Sequence, residues 1–236
     1  MGDLEREDNA KVAKSDTIYV AGHGGLVGSA IARRLKSLGY LNIVGWRSSE
    51  FDLTRQDVVE ELIDRTRPKV IFLVAARVGG IGANATLPAE FVYQNMMIET
   101  NIIHAASCCG VERLIFTGSS CIYPVGASQP ISESALLTGD LDKTIRPYGL
   151  AKSYGIELCK YYNHQYGTHY LSVMPTNLYG PNDTYHSELS HVIPAMILKM
   201  HRAKQRGDKQ VILWGSGRPR RDRAWSLNLL DNHYLA

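Results

Sequence analysis

A tyrosine and a lysine stand four residues apart in the segment RPYGLAKSYGIELCKYYN, residues 146–163. Residues four apart share one face of a helix, so we expect the ammonium of Lys152 beside the phenol of Tyr148. A neighbouring cation favours the phenolate and lowers the phenol's pKa from its ordinary value of about 10. The pair is therefore expected to exchange a proton near neutral pH, which indicates reduction of a carbonyl group or the reverse oxidation.

A second group of polar side chains follows an apolar run in the segment FTGSSCIYP, residues 116–124. Ligands of open parallel sheets bind at the carboxyl ends of the strands, and Ser119 and Cys121 are expected at such an end. A serine there can donate a hydrogen bond to a substrate carbonyl. A cysteine can transfer protons or simply pack as a small apolar residue, and position alone does not choose between these roles.

A glycine-rich segment, TIYVAGHGGLVGSA, joins the first apolar run to a stretch of helical length at residues 17–30. Its glycines permit a tight turn, and the helix that follows offers free amides to a pyrophosphate. This spacing after a first strand predicts a dinucleotide-binding loop. The cofactor-binding residues predicted here are Gly22, Gly25, Leu26, Val27 and Gly28.

The residues after the second apolar run bear on the choice between NAD and NADP. Folds that bind NAD place an acidic residue there for the ribose hydroxyls, whereas this chain has Trp46 and Arg47. A guanidinium can bind phosphate through two parallel hydrogen bonds, so Arg47 favours the 2′-phosphate of NADP. The alternative is a solvated arginine after a strand. Asp52 and Leu53 follow and are expected near the adenine edge.

Short apolar runs rich in Val and Ile alternate with segments of helical length. The runs are residues 17–22, 41–46, 69–76, 113–120 and 170–177. Continuous apolar runs are typical of parallel strands that are buried on both faces. We therefore expect an α/β fold with a doubly wound parallel sheet of the Rossmann type. Helices are expected over 27–39, 94–110, 148–166 and 191–207, and a further strand over 210–217.

Size and composition limit the class of protein. The chain has 236 residues, is 44% hydrophobic and carries a formal net charge of +3, which argues against broad nucleic-acid binding. No apolar run has the length of a membrane span, and the charged N-terminus lacks the apolar stretch of a signal peptide. The four cysteines form no C-x-x-C pair, so neither disulfides nor a metal site is indicated and a cytoplasmic location is expected. Structural roles alone are assigned to His23, Cys108, Cys109 and Cys159.

Three regions are expected along the chain. They are a flexible tail over 1–14, a dinucleotide-binding domain over 15–180, and a partial substrate-binding region over 181–236. The alternation of strands and helices fades after Pro181. The basic cluster RPRRDR, residues 218–223, is either a solvated face or a phosphate contact.

With Ser119, Tyr148 and Lys152 in this order after a glycine loop, the chain resembles the short-chain dehydrogenase/reductase superfamily in its extended, nucleotide-sugar branch. Longer blocks narrow the resemblance to the GDP-L-fucose synthase family. They are AARVGGIGANATLPAEFVYQNMMIETNIIHAA, GSSCIYP, QPISESALLTG, MPTNLYGPND, SHVIPA and WGSG. The resemblance implies NADPH-dependent 3,5-epimerisation and 4-reduction of GDP-4-dehydro-6-deoxy-D-mannose to GDP-L-fucose, carried out by a homodimer.

The resemblance also implies a role for each site residue. Cys121 and His191 would be the acid and base that invert C3 and C5, since a C4 ketone acidifies the protons on those carbons. Tyr148 would protonate the C4 oxyanion, while Lys152 would bind the nicotinamide ribose. Ser119 would orient the carbonyl. The substrate-binding residues implied are Asn177, which also faces the cofactor, Lys199, Trp214 and Arg221.

Three departures from the family pattern affect these expectations. Gly24 stands where the family commonly carries an arginine, which removes one candidate phosphate contact, and Trp46 fills the position of a basic residue after the second strand, with Arg47 one position later. After WGSGRPRR the family continues with an acidic E-F-x-x-V-D-D segment and a further substrate-binding region. This chain instead reads DRAWSLNLLDNHYLA, so the C-terminal substrate-binding region is expected to be incomplete.

Two other functions stay open. One is another nucleotide-sugar enzyme of the same fold, a 4-epimerase or 4,6-dehydratase, although dehydratases place an Asp-Glu pair where this chain has Cys121 and Ile122. The other is a catalytically silent NADP-binding protein that acts as a partner of a full-length enzyme. A missing lobe favours the silent protein, and the presence of Ser119, Tyr148 and Lys152 opposes it.

Overall fold

Five parallel strands form the central sheet of this computed structural model, which describes residues 12–186, 190–213 and 223–225. The strands are β1 (Thr17–Ala21), β2 (Asn42–Val44), β3 (Val70–Leu73), β4 (Arg113–Thr117) and β5 (His169–Val173). They lie in the order β2-β1-β3-β4-β5. From β1 the chain first adds β2 on one side, and it then adds β3, β4 and β5 in turn on the other side of β1. This order confirms the predicted doubly wound parallel sheet.

Helices connect the strands and cover the sheet. They are α1 (Leu26–Ser37), α2 (Gln56–Thr66), α3 (Ile81–Thr86), α4 (Pro88–Cys108), α5 (Arg146–Tyr166) and α6 (Val192–Arg206). The four predicted helices are present, and α4 begins earlier than expected because proline suits the first turn of a helix. None of the helices in the described ranges combines the length and the apolar composition that crossing a bilayer requires.

Successive side chains of the central strands point to opposite faces of the sheet. Ile18 and Val20 of β1 pack on the face covered by α1, whereas Tyr19 and Ala21 belong to the core formed with α2, α4 and α5. β3 is buried along its whole length. Burial on both faces is the reason that these strands read as continuous apolar runs in the sequence.

The last residues of the predicted tail lie against the sheet. Val12 packs on the face covered by α1. The Lys14 ammonium lies 3.7 Å from the centre of the Tyr40 ring, and the Lys14 carbonyl oxygen accepts a hydrogen bond from the Leu41 amide at 2.9 Å. Residues 1–11 lie outside the described residues, and the domain boundary at residue 15 stays a prediction.

The run predicted as one strand over 170–177 divides at Pro175. β5 ends at Val173, and β6 (Asn177–Tyr179) pairs in parallel with β7 (Arg223–Trp225) in a separate two-stranded sheet. Proline has no amide hydrogen to donate to a neighbouring strand, so the first strand stops before it.

The strand predicted over 210–217 is wrong for residues 210–213. α6 ends at Arg206, and the next residue, Gly207, caps it with a left-handed φ of 75°. Residues 210–213 then have no regular secondary structure, and Ile212 is 81% exposed. A strand is stable only beside hydrogen-bonded neighbours, and in the described residues β6 pairs with β7 instead. Residues 214–217 lie outside the described residues.

Candidate active site

Tyr148 and Lys152 lie one turn apart near the start of α5. Pro147 occupies the first turn of this helix, where its missing amide hydrogen costs no bond. The Lys152 Nζ lies 5.8 Å from the centre of the Tyr148 ring and 4.6 Å from the centre of the Phe116 ring. Lys152 is 1% exposed. The fold therefore places a desolvated cation next to the phenol.

A carboxylate from α4 is paired with this cation. Glu99 is fully buried, and its Oε1 lies 3.1 Å from the Lys152 Nζ. A buried charge is tolerated only with a partner of opposite sign, which each residue supplies to the other. Burial raises the pKa of Glu99 to about 7, and the Lys152 ammonium limits this rise. The pair is held between α4 and α5, which pack on each other.

The pKa of Tyr148 differs from the expectation drawn from the sequence. Burial raises the pKa of this phenol above its ordinary value, and Cys121 and Glu99 raise it further because nearby negative charge disfavours a phenolate. The prediction that Lys152 lowers this pKa is wrong in this structure, because burial of the phenol, together with Cys121 and Glu99, raises it. The phenol keeps its proton at neutral pH, which suits a proton donor.

Cys121 lies in a 3-10 turn, Ser120–Ile122, just after β4, and Ser119 is the N-cap of this turn. The Ser119 Oγ caps this turn by accepting a hydrogen bond from the Cys121 amide at 3.2 Å. A Cβ on Gly149 would lie 2.8 Å from the Cys121 carbonyl oxygen, so the turn packs directly on α5 beside Tyr148. Cys121 is half-buried. The fold thus brings the serine, the thiol, the phenol and the ammonium to one place.

The glycine loop forms a cradle between β1 and α1. Gly22 has a φ of +90°, and a Cβ there would lie 2.8 Å from the Ala75 amide nitrogen. A Cβ on Gly28 would lie 2.1 Å from the Gly22 carbonyl oxygen. Gly25 is the N-cap of α1, without a side-chain capping bond, and no acidic residue lies in the first turn that Leu26 and Val27 begin. This close backbone packing and the open helix terminus fit the diphosphate of a dinucleotide.

The residues predicted to determine the preference for NADP over NAD follow the end of β2. Trp46 packs with its ring centre 5.6 Å from that of Tyr19 and 5.6 Å from that of Phe51, so it anchors the segment to the core. Arg47 is exposed, and its backbone amide donates to the Glu50 carboxylate at 2.7 Å. This hydrogen bond fixes the backbone of the turn that carries Arg47, and the predicted role of its guanidinium at a 2′-phosphate stays a prediction.

His23 connects the glycine loop to the end of β2. A Cβ on Gly45 would lie 2.6 Å from the His23 Cγ, so the His23 side chain packs against the strand end. Its Nδ1 is buried and has no hydrogen-bond partner among the described residues.

Asp52 and Leu53 follow this turn but differ in their surroundings. The exposed Asp52 carboxylate accepts hydrogen bonds from the side chain and amide of Thr54, at 2.7 and 3.0 Å, and these bonds lower the pKa of Asp52. Leu53 packs on the core, and its carbonyl oxygen accepts from the Asn101 side chain at 3.1 Å. Their predicted place near an adenine stays a prediction.

The remaining predicted residues lie towards the C-terminal part. His191 is exposed at the N-cap of α6 and lies near Asp183, whose pKa burial raises while His191 limits the rise. Asn177 begins β6. Lys199 lines an open basic cavity of about 360 Å³ with Arg202 and Arg206. The pairing of His191 with Cys121 stays a prediction. Trp214 and Arg221 lie outside the described residues.

Comparison with known proteins assigns the chain to a family. Residues 18–236 match the model of the NAD dependent epimerase/dehydratase family. The chain belongs to this family. Among its relatives, GDP-L-fucose synthase 1 of Arabidopsis thaliana is 52% identical over 209 residues, which are 89% of this chain and 65% of that protein. GDP-L-fucose synthase of Escherichia coli is 51% identical over 205 residues, 87% of this chain and 64% of that protein.

The solved structures contain close matches to this epimerase/dehydratase fold. A GDP-L-fucose synthetase from Naegleria fowleri bound to NADP has a TM-score of 0.85 at 30% identity, covering 93% of this chain and 72% of that chain. The chain spans just under two thirds of the length of the two curated relatives, 65% of the Arabidopsis protein and 64% of the Escherichia coli protein.

Two buried polar residues of this chain were missed by reasoning from the sequence. Asn95 and Glu99 lie on the buried face of α4 and are both 0% exposed. They stand four residues apart in QNMMIETNII, residues 94–103. Polar residues at core positions of a helix are uncommon unless they are paired, and this spacing was the available signal.

Proposed function

We propose that this protein binds NADPH and converts GDP-4-dehydro-6-deoxy-D-mannose into GDP-L-fucose, by inversion at C3 and C5 and reduction at C4. The observation that carries the proposal is the packing of the Ser119–Cys121 turn on α5, which gathers a hydroxyl, a thiol, a phenol and an ammonium at the carboxyl edge of the sheet. The GDP-L-fucose synthases that are about half identical to this chain support the choice of substrate.

The glycine cradle and the end of β2 support a dinucleotide cofactor. The amides of Leu26 and Val27 would bind its diphosphate, and the Arg47 guanidinium would bind a 2′-phosphate. NADPH, when bound, supplies the hydride that C4 receives. The NADP carried by the Naegleria relative supports the same choice.

Cys121 and His191 would exchange the protons at C3 and C5. The C4 ketone acidifies these positions, so a base can remove a proton from one face while an acid returns one to the other. A thiol and an imidazole both transfer protons near neutral pH. The bond from the Cys121 amide to Ser119, at 3.2 Å, fixes the backbone that carries the thiol.

Tyr148 would donate the proton that completes the reduction. Its raised pKa keeps the phenol protonated at neutral pH, and a C4 alkoxide is more basic than a phenolate, so the proton moves from the phenol to the C4 oxygen. The Ser119 hydroxyl would donate a hydrogen bond to the same oxygen. Lys152 would hold positive charge next to the phenolate that forms.

A catalytically silent NADP-binding protein is the second candidate. It is favoured by the exposure of Ile212 and Leu213 after α6, at 81% and 48%, which leaves apolar surface in contact with solvent in the described part of the chain. Contacts to remote parts of a substrate supply binding energy that positions the reacting group. A protein without such contacts to the nucleotide sugar would bind the cofactor but turn over slowly.

Turnover of the keto sugar nucleotide separates these functions. Purified protein is mixed with NADPH and GDP-4-dehydro-6-deoxy-D-mannose, and NADPH oxidation is followed together with the product. Oxidation with GDP-L-fucose as the product supports our proposal. Cofactor binding without oxidation supports the silent protein, and loss of water from GDP-mannose in a separate incubation would indicate a 4,6-dehydratase.

Two variants of α5 test the reduction step. Tyr148→Phe removes the proton donor, so reduction should fall by roughly 10²- to 10⁴-fold while NADPH still binds. Leu150→Ala is the matched control, because Leu150 lies on the same helix turn but is 41% exposed. It should retain turnover.

A homodimer through α4 and α5 is part of the same proposal. Each helix exposes a tyrosine, Tyr93 at 60% and Tyr161 at 63%, and aromatic residues are enriched at protein interfaces. Light scattering that gives twice the mass of the chain would support the dimer, and the mass of a single chain would reject it.

A further inference from the structure

A buried carboxylate lies beside the proposed catalytic residues, and the chemistry above does not use it. Glu99 is fully buried, with Oε1 3.1 Å from the Lys152 Nζ and with no hydrogen-bond partner for Oε2 among the described residues. Taking two charges out of water is unfavourable, and a packed apolar pair is often as stable as a buried ion pair. Stability alone therefore does not explain this pair.

The surrounding residues fix the carboxylate and the ammonium closely. A Cβ on Gly155 would lie 2.7 Å from the Glu99 Oε2 and 2.4 Å from the Phe116 ring, so α5 passes directly over the carboxylate at this glycine. The Phe116 ring lies 4.6 Å from the Lys152 Nζ. The long lysine side chain is thereby restricted to one site, a helical turn away from Tyr148.

Glu99 and Lys152 supply the fixed charges to which Tyr148 responds. Within the described part of the chain, the other titratable groups facing them are Cys121 in the 3-10 turn and Cys159 on α5. Burial raises the pKa of Cys159 to about 12, so this thiol is neutral at the pH where the protein works.

We propose that Glu99 is a positioning residue, whose buried carboxylate holds the Lys152 ammonium beside Tyr148 and keeps positive charge next to the phenol during proton transfer. The inference rests on the proposed carbonyl reduction. It adds a residue of α4 to a site otherwise built from β4, α5 and the glycine loop.

Glu99→Gln keeps the size of the side chain and removes its negative charge. Glu99 raises the pKa of Tyr148, so in the variant the phenol loses its proton at lower pH. The alkaline limb of the kcat profile for reduction should therefore move to lower pH. KM for the keto sugar should change little, because the carboxylate is buried away from solvent. Glu99→Asp retains the negative charge, so the alkaline limb of this variant should lie closer to that of the wild type.

Thr100→Val is the matched structural control. Thr100 neighbours Glu99 on α4, and its Oγ1 lies 2.8 Å from the Tyr154 hydroxyl of α5, so the variant removes a contact between the same two helices. It should lower the Tm and leave the pH profile unchanged. If Glu99→Gln likewise lowers the Tm with an unmoved alkaline limb, Glu99 is only structural and the proposal is overturned.

A measurement without turnover separates this inference from the proposed function. Carboxyl ¹³C NMR of labelled glutamate, with the Glu99 signal assigned by its loss in Glu99→Gln, should titrate near pH 7 in the free protein. Lys152→Met should move this midpoint higher, since the ammonium lowers the pKa of Glu99. If the titration midpoint of Glu99 is the same in the wild type and in Lys152→Met, the proposal is overturned. If Glu99 titrates as expected in both proteins but the wild type does not oxidise NADPH, the proposed reduction is rejected. The inference that Glu99 holds the Lys152 ammonium is then still supported.

Discussion

The side chain of Asn95 is hydrogen-bonded to both backbone groups of Arg77. Its Oδ1 accepts from the Arg77 amide at 2.8 Å, and its Nδ2 donates to the Arg77 carbonyl oxygen at 3.1 Å and to that of Phe91 at 2.8 Å. Asn95 thus ties the loop after β3 to α4. The same loop contains Ala75, which packs on Gly22. One buried amide therefore orders a wall of the proposed cofactor site.

Asn95→Asp should destabilise the fold and weaken cofactor binding. The variant keeps the shape of the side chain, but a carboxyl oxygen then faces the carbonyl oxygens of Arg77 and Phe91 in a buried site. We expect the free energy of unfolding to fall by about 2 to 4 kcal/mol. Urea unfolding measures this loss, and fluorescence titration with NADPH measures the weaker binding.

Gln94→Ala is the control for this prediction. Gln94 precedes Asn95 and accepts a long hydrogen bond, 3.4 Å, from the side chain of the same Arg77. Because Gln94 is not fully buried, its loss should change stability by no more than about 0.5 kcal/mol. Similar losses in both variants would show that the buried amide has no special role.

The sheet is predictable from the sequence because burial on both faces leaves a plain signature. Val70–Leu73 is buried at every position, so the run is apolar without interruption. Residues 210–213 have a similar composition but no strand, because a strand also needs a neighbour to pair with. The identity of that neighbour is a property of the tertiary fold and is absent from the local pattern.

The candidate site is predictable in its residue types and only partly in its electrostatics. The spacing of Tyr148 and Lys152 predicts that they are neighbours on one helix, as they are. Their charge balance depends on Glu99, which comes from a different helix, and on burial. Burial and Glu99 both disfavour the phenolate and raise the pKa of Tyr148. The spacing of Tyr148 and Lys152 alone therefore predicts a shift of this pKa in the wrong direction.

Gly28→Ala should disrupt the glycine cradle. The added methyl group would lie 2.1 Å from the Gly22 carbonyl oxygen, a backbone atom that cannot move without opening the turn. We expect NADPH affinity to fall at least tenfold, roughly the effect of one lost charge-assisted contact to the diphosphate. Gly24→Ala is the control, since a Cβ there meets no atom within 4 Å. Equal affinities in the two variants would contradict a cofactor in this cradle.

Cys121→Ser should separate proton exchange from cofactor binding. A hydroxyl ionises far less readily than a thiol, so exchange at C3 and C5 should slow by roughly 10²-fold or more while NADPH affinity stays close to wild type. Deuterium incorporation from D₂O into the sugar measures the exchange. Cys108→Ser, an exposed thiol on α4, should leave exchange unchanged. Parallel loss of exchange and of NADPH affinity in Cys121→Ser would argue against an acid-base role.

Glu99 should make the stability of the fold depend on pH. Burial raises the pKa of Glu99 from its ordinary 4.5 to about 7, so the folded carboxyl holds its proton more tightly than the unfolded one. The contribution of this residue to stability is therefore complete below pH 4.5 and is lost as the pH rises through 7. Relative to Glu99→Gln, the wild-type free energy of unfolding should fall across this interval and change little above it. Urea unfolding of both proteins at several pH values measures the difference. A difference that does not vary with pH would mean that the carboxyl titrates alike in the folded and unfolded chains, and Glu99 would then not be the buried partner of Lys152.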